Sequence, residues 1–141
     1  MTPRVLTDQY HVSPQIDPED AEAIKAAGYA LVIDNRPDAE VPPSHQANAM
    51  RQAIEAQDLR FEVLPITHQT MTAENILRQA ELIAGAEGPV LAYCASGTRC
   101  SVIWALGQAE TLGADAVIET AAKAGYNLAG LRPTLETLSK P

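Results

Sequence analysis

Three times along this chain a stretch with helical periodicity leads into a short apolar run that reads as a strand. No other feature restricts the fold as much. "DPEDAEAIKAAG" (17–28) opens with Asp17 as N-cap, Pro18 at the first helical position and acidic residues in the first turn. Gly28 stands where a C-terminal cap belongs, and "YALVID" (29–34) follows as a buried strand. "SHQANAMRQAIEAQ" (44–57), with Ser44 as its cap, precedes the strand "RFEVLPI" (60–66). "AENILRQAELIAGA" (73–86), capped by Thr72, precedes "GPVLAYC" (88–94). Two more helices, "ADAVIETAAKAG" (114–125) and one starting near Pro133, close the chain. Such alternation predicts an α/β fold: a mainly parallel central sheet of about four strands flanked by helices. "RVLTDQYHVS" (4–13) can add an edge strand or hairpin. With 141 residues and no repeat or linker, the pattern describes a single domain over 1–141.

The third strand ends in "LAYCASGTRCSV" (91–102), where a six-residue loop bounded by Cys94 and Arg99 separates two apolar segments. Ligands of open α/β sheets bind at the carboxyl ends of strands, and Cys94 lies at such an end. Gly97 lets the backbone turn, and Ala95, Ser96 and Thr98 are small enough to leave N–H groups pointing inward. Those amides, the positive end of the following helix and Arg99 favour an anion at the loop's centre. The same field lowers the Cys94 pKa toward thiolate, the nucleophilic form. A structural cysteine beside a helix N-terminus is the competing reading. The placement between a strand and an apolar helix, with Ser-Gly-Thr inside the loop, favours a nucleophile. In the helix that follows, Val102, Ile103, Ala105, Leu106 and Ala109 nearly encircle the axis, which places it mid-fold. Trp104 on it reads as core.

A net charge of −8 argues against a nucleic-acid binder, since phosphate contacts need clustered Lys and Arg. No apolar stretch approaches the roughly 20 residues of a membrane span, and "MTPRVLTDQY" lacks a signal-peptide core. Two cysteines six positions apart make a poor disulfide framework, so reduced thiols and a cytoplasmic location are expected. The three histidines are scattered, no donor set has metal-ligand spacing, and neither a metal nor another cofactor is expected. His11 and His45 read as surface or capping residues. The pattern assigns no oligomeric contact.

"VSPQIDPEDAEAIKAAGYALVIDNRPDAE", "LRFEVLPI" and "GPVLAYCASGTRCSVIWAL" together resemble the bacterial beta-lactamase hydrolase-like family, specifically its phosphatase-like domain. The resemblance covers about residues 10–110; its most specific pieces are Asn35-Arg36-Pro37-Asp38 and Cys94-x-Ser96-Gly97-Thr98-Arg99. It implies a dual-specificity phosphatase-like fold, a Cys94 nucleophile, Arg99 as oxyanion clamp and the amides between them as a phosphate cradle. The chain departs from tyrosine phosphatases in having four residues between Cys and Arg rather than five, and Tyr93 before the cysteine rather than His. Four is the loop length of rhodanese-type sulfurtransferases. Cys100 replaces a residue that is Ser in the family pattern, and it adds a possible resolving thiol for a Cys94–Cys100 disulfide.

Phosphoester hydrolysis needs an acid for the leaving oxygen, whereas sulfur transfer to a thiophilic acceptor does not. "LPITHQ" puts His68 where dual-specificity phosphatases place that acid, although a solvated loop histidine fits equally. Asp34, Arg36 and Asp38 end the neighbouring strand and could line the same cleft, Asp38 as a competing acid. Arg36 bracing the loop against a carboxylate is the simpler expectation. Three functions stay open: a cysteine-dependent phosphatase-like hydrolase, a sulfurtransferase carrying a Cys94 persulfide, or a non-catalytic anion- or partner-binding domain. The expected ligand is a small anion, either a phosphoester or a sulfur donor.

Overall fold

The computed structural model describes residues 2–140. Its sheet has five strands, β1 (Arg4–Thr7), β2 (Tyr10–Ser13), β3 (Leu31–Asp34), β4 (Arg60–Val63) and β5 (Val90–Tyr93), in the order β1-β2-β5-β3-β4. Four of them are parallel, and β1 turns back antiparallel on β2 as the expected hairpin, which makes five strands where about four were expected. Six α-helices accompany them: α1 (Ala21–Ala26), α2 (Ala47–Glu55), α3 (Ala73–Ala84), α4 (Thr98–Leu112), α5 (Ala114–Lys123) and α6 (Arg132–Ser139).

Strands buried on both faces need apolar residues at every position. Leu31, Ile33, Val90, Ala92 and Cys94 face a core shared with α3–α6, while Val32, Leu91 and Tyr93 face a second core with α1 and α2. α4 packs against α3, α5 and α6 and buries Cys100, Ser101, Ile103, Trp104, Ala105 and Ala109, so it is the central helix that its sequence predicts. Trp104 is core.

Boundaries differ from expectation for local reasons. Residues 18–20 form a 3-10 turn before α1, closed by the Asp17 N–H donating to Asp20 Oδ2 at 2.8 Å. Gly28, at φ +91°, ends α1 as expected. β4 ends at Val63, and the Leu64 and Ile66 N–H groups carry its pairing on to the Asp34 and Asn35 carbonyls, with Pro65 between them on the free edge where no N–H is needed. Ser44 does not cap the second helix. It sits in a separate 3-10 turn, α2 begins at Ala47, and the Ala47 N–H donates to Asp38 Oδ1 at 2.7 Å. Thr72 caps α3 through the Asn75 N–H at 3.2 Å.

Candidate active site

β5 delivers Cys94 to the carboxyl edge of the sheet, and α4 starts four residues later. The chain makes that turn through Gly97, at φ +93°, which is the N-cap of α4. The turn wraps the sulfur tightly. The Gly97 N–H donates to Cys94 Sγ at 3.1 Å, and the Ser96 and Cys100 amides also favour its charged form. A hydrogen bond from the Cys100 thiol adds to these amides, and together they overcome burial and pull the Cys94 pKa down to about 5. Burial pushes Cys100 the other way, so it stays a thiol and can donate. Both cysteines are free. Cys94 has no exposed surface, so its sulfur lies beneath the loop.

Arg99 does not swing out to water. Its guanidinium grips Glu40 with two nitrogens, at 2.8 and 2.7 Å, and reaches the Ile66 carbonyl at 3.0 Å. A guanidinium has five N–H donors. With three engaged here, two are left for another acceptor among the described residues. Glu40 is also held by Arg36 Nε at 3.2 Å, and the Arg99 hydrogen bonds keep its carboxyl below the usual carboxylate range. Arg36 in turn reaches Gln15 Oε1 at 3.1 Å, so it braces the loop after β3.

The remaining predicted residues separate. His68 is exposed and lines a cavity with Glu40, Thr98 and Arg99. Asp38 accepts from the Ala47 N–H at the start of α2 and is not among the residues lining that cavity. Asp34 is buried rather than in a cleft: burial raises its carboxyl to about 6, moderated by the Arg36 N–H donating to Oδ1 at 2.8 Å. Tyr93 lies beside it, its hydroxyl buried without a well-formed hydrogen bond. His11 meets the Tyr29 hydroxyl at 2.8 Å, and His45 Nε2 lies 2.6 Å from Asp17 Oδ1. Among the described residues no cluster of His, Cys, Asp and Glu is placed to hold a metal ion, and no helix is long and apolar enough to cross a membrane.

Several site residues escape sequence reasoning. Glu40 is one, because its partner lies 59 positions away. Tyr126 is another: its hydroxyl donates to the Ser96 carbonyl at 3.1 Å and lies where any side chain on Gly97 would go. Beneath α4 a buried chain of polar groups links three elements. Gln79 donates to Asn35 Oδ1 at 2.9 Å and to the Tyr10 hydroxyl at 3.1 Å, and Tyr10 donates to the Cys100 carbonyl at 2.8 Å. Asn35, part of the quoted motif, was the only member with a signal in the sequence.

Residues 3–111 match the family described as beta-lactamase hydrolase-like protein, phosphatase-like domain. A beta-lactamase hydrolase-like protein of Agrobacterium fabrum is 32% identical over 90 residues, 64% of this chain and 21% of its own length. One from Xylella fastidiosa is 28% identical over 103 residues, 73% of this chain and 24% of its own. The chain thus spans about a fifth to a quarter of these relatives. A crystal structure of a candidate phosphatase from Neisseria meningitidis superposes with TM-score 0.82 at 36% identity, covering 96% of each chain. Pseudomonas aeruginosa TpbA in complex with pTyr shares the fold at TM-score 0.61 and 15% identity, covering 94% of this chain and 86% of its own. With the fold and loop in place, the match over 3–111 establishes that this chain belongs to the beta-lactamase hydrolase-like phosphatase-like domain family.

Proposed function

We propose that the chain is a cysteine-dependent phosphomonoester hydrolase. The observation that carries this reading is the Gly97 N–H donating to Cys94 Sγ at 3.1 Å, at the N-terminus of the central helix that also carries Arg99. A pKa of about 5 supplies the nucleophile at neutral pH without a separate base. The thiolate attacks phosphorus, an S–P bond forms, and the P–O bond to the leaving group breaks. A protonated His68, lining the same cavity as Arg99, gives its proton to the departing oxygen. Water then attacks phosphorus, releasing inorganic phosphate and restoring the thiolate. Arg99 stabilises the equatorial oxygens with its two remaining donors. Because the loop covers Sγ, this chemistry requires the 95–98 turn to lift, so that amides aimed at sulfur turn to the phosphoryl oxygens. Ser101 steadies the hinge, its Oγ donating to the Gly97 carbonyl at 2.9 Å.

The test is phosphate release from an aryl phosphate. Cys94→Ser should lower it by about 10⁶-fold, the scale of losing a covalent nucleophile. His68→Ala should slow release from phenyl phosphate, whose leaving oxygen needs a proton, far more than from p-nitrophenyl phosphate, and equal losses take His68 out of the mechanism. Absence of release, with added sulfur on Cys94 by intact mass after thiosulfate, would replace this reading by sulfur transfer.

A further inference from the structure

The cavity beside Arg99 has a volume of about 640 Å³ and continues well past the loop. Thr98, Val102 and Leu106 line it at four-residue intervals, so they form one stripe on α4. Eight residues of helix carry that stripe about 12 Å away from the loop. Leu131, just before α6, and Met71, just before α3, contribute further apolar lining. The ionisable residues of the lining are Glu40, His68 and Arg99, of which Glu40 and Arg99 are paired with each other. Thr67, Gln69 and Thr134 add uncharged polar groups, the Thr67 hydroxyl being occupied within its own turn, 3.2 Å from the Thr70 hydroxyl. A charged end at the loop and an apolar extension along α4 describe the shape of an amphiphile with one anionic head.

We propose that this cavity binds an extended alkyl chain carried by the phosphomonoester whose phosphoryl group enters the 94–99 loop, an inference that rests on the hydrolase reading. Continuity supports it, since Thr98 and Arg99 belong both to the loop and to the cavity wall. Charge supports it too. The lining offers no lysine or second arginine for an acidic peptide or polyphosphate, and the chain carries a net charge of −8. A sugar phosphate would find partners in Gln69 and Thr134 but would set its other hydroxyls against Val102, Leu106 and Leu131, which is unfavourable. An alkyl chain instead displaces water from those side chains.

The experiment measures kcat/KM for methyl, butyl and octyl phosphate and for glucose 6-phosphate. Partial burial of each methylene predicts about a twofold gain per carbon, roughly 100-fold from methyl to octyl. Leu106→Asp, at a partly exposed position, should collapse the octyl-to-methyl ratio toward one. A flat series, or preference for the sugar phosphate, overturns the proposal. Should no phosphoester be turned over, the hydrolase reading fails separately, and titration of Cys94→Ser with methyl-, butyl- and octylphosphonate decides this one. Affinity rising with chain length supports the cavity assignment, and equal affinities refute it.

Discussion

Asp34 and Cys94 stand at the ends of neighbouring parallel strands, β3 and β5, where the Asn35 N–H bonds the Tyr93 carbonyl at 2.9 Å. Both acids are buried, and burial alone would neutralise both. Asp34 follows that rule: with one backbone N–H on Oδ1 and Tyr93 beside it, its carboxyl rises to about 6. Cys94 breaks the rule and falls to about 5, because the Cys100 thiol and the Cys100, Gly97 and Ser96 amides favour the charged sulfur. Depth in the protein is therefore not what makes an anion here. The number of donors aimed at the atom is, and a loop opening a helix supplies more of them than the loop after β3.

The sharpest way to break this contrast is Gly97→Ala. A Cβ there would strike the Tyr126 hydroxyl, and φ +93° is strained for an L-residue. A cost of about 1–3 kcal/mol in urea unfolding is expected. The displaced amide should raise the Cys94 midpoint, read by ultraviolet thiolate absorbance, by about 2 units. An unchanged midpoint would show that the amides do not hold the charge.

Cys100→Ala comes next, with an expected rise of at least as much, about 2 units, from losing the donor that weighs most on the sulfur, while Cys100→Ser restores the low value. The same variants test linkage to stability. A folded pKa near 5 lies below that of an unfolded thiol, about 8.5. The stabilisation from the thiolate is therefore complete above about pH 8.5 and is lost as pH falls toward 5. Cys100→Ala should flatten that slope in unfolding experiments, and retention of the full slope would assign it elsewhere.

Asp34→Asn should have the smallest effect on the sulfur, leaving the Cys94 midpoint unchanged, because a carboxyl raised to about 6 is mostly protonated where Cys94 titrates. Its own signature lies in stability. A carboxyl raised to about 6 favours the fold below its unfolded value of about 4, and that contribution is lost as pH rises through 6. Asn removes that dependence. A variant with the wild-type slope between pH 4 and 6 would mean that Asp34 is not the titrating group.

Much of the architecture was legible because it is written locally. Apolar runs at 31–34, 60–63 and 90–93 alternate with amphipathic helices, and Gly28 and Thr72 mark helix ends. Cys94, Gly97 and Arg99 were legible for the same reason, being neighbours in one loop. Ser44 misled because the α2 donor finds its acceptor nine residues back, on Asp38, after two intervening 3-10 turns. The Asp38 contact to α2 was not legible, since a carboxylate near a strand end looks the same whether it caps a helix or faces a cleft.

By itself, the order of residues determined the alternating α/β layers, the turn after β5 and the placement of a cysteine at a helix N-terminus, all products of short-range periodicity and backbone preference. Only the tertiary structure decided which charge state Cys94 holds and how its neighbours are fastened. The Arg99 clamp spans 59 positions to Glu40, the loop latch spans 30 to Tyr126, and the buried brace under Cys100 spans 90 to Tyr10. Electrostatic fields act through space over a few ångströms, and chain separation does not record which residues folding will bring within that range.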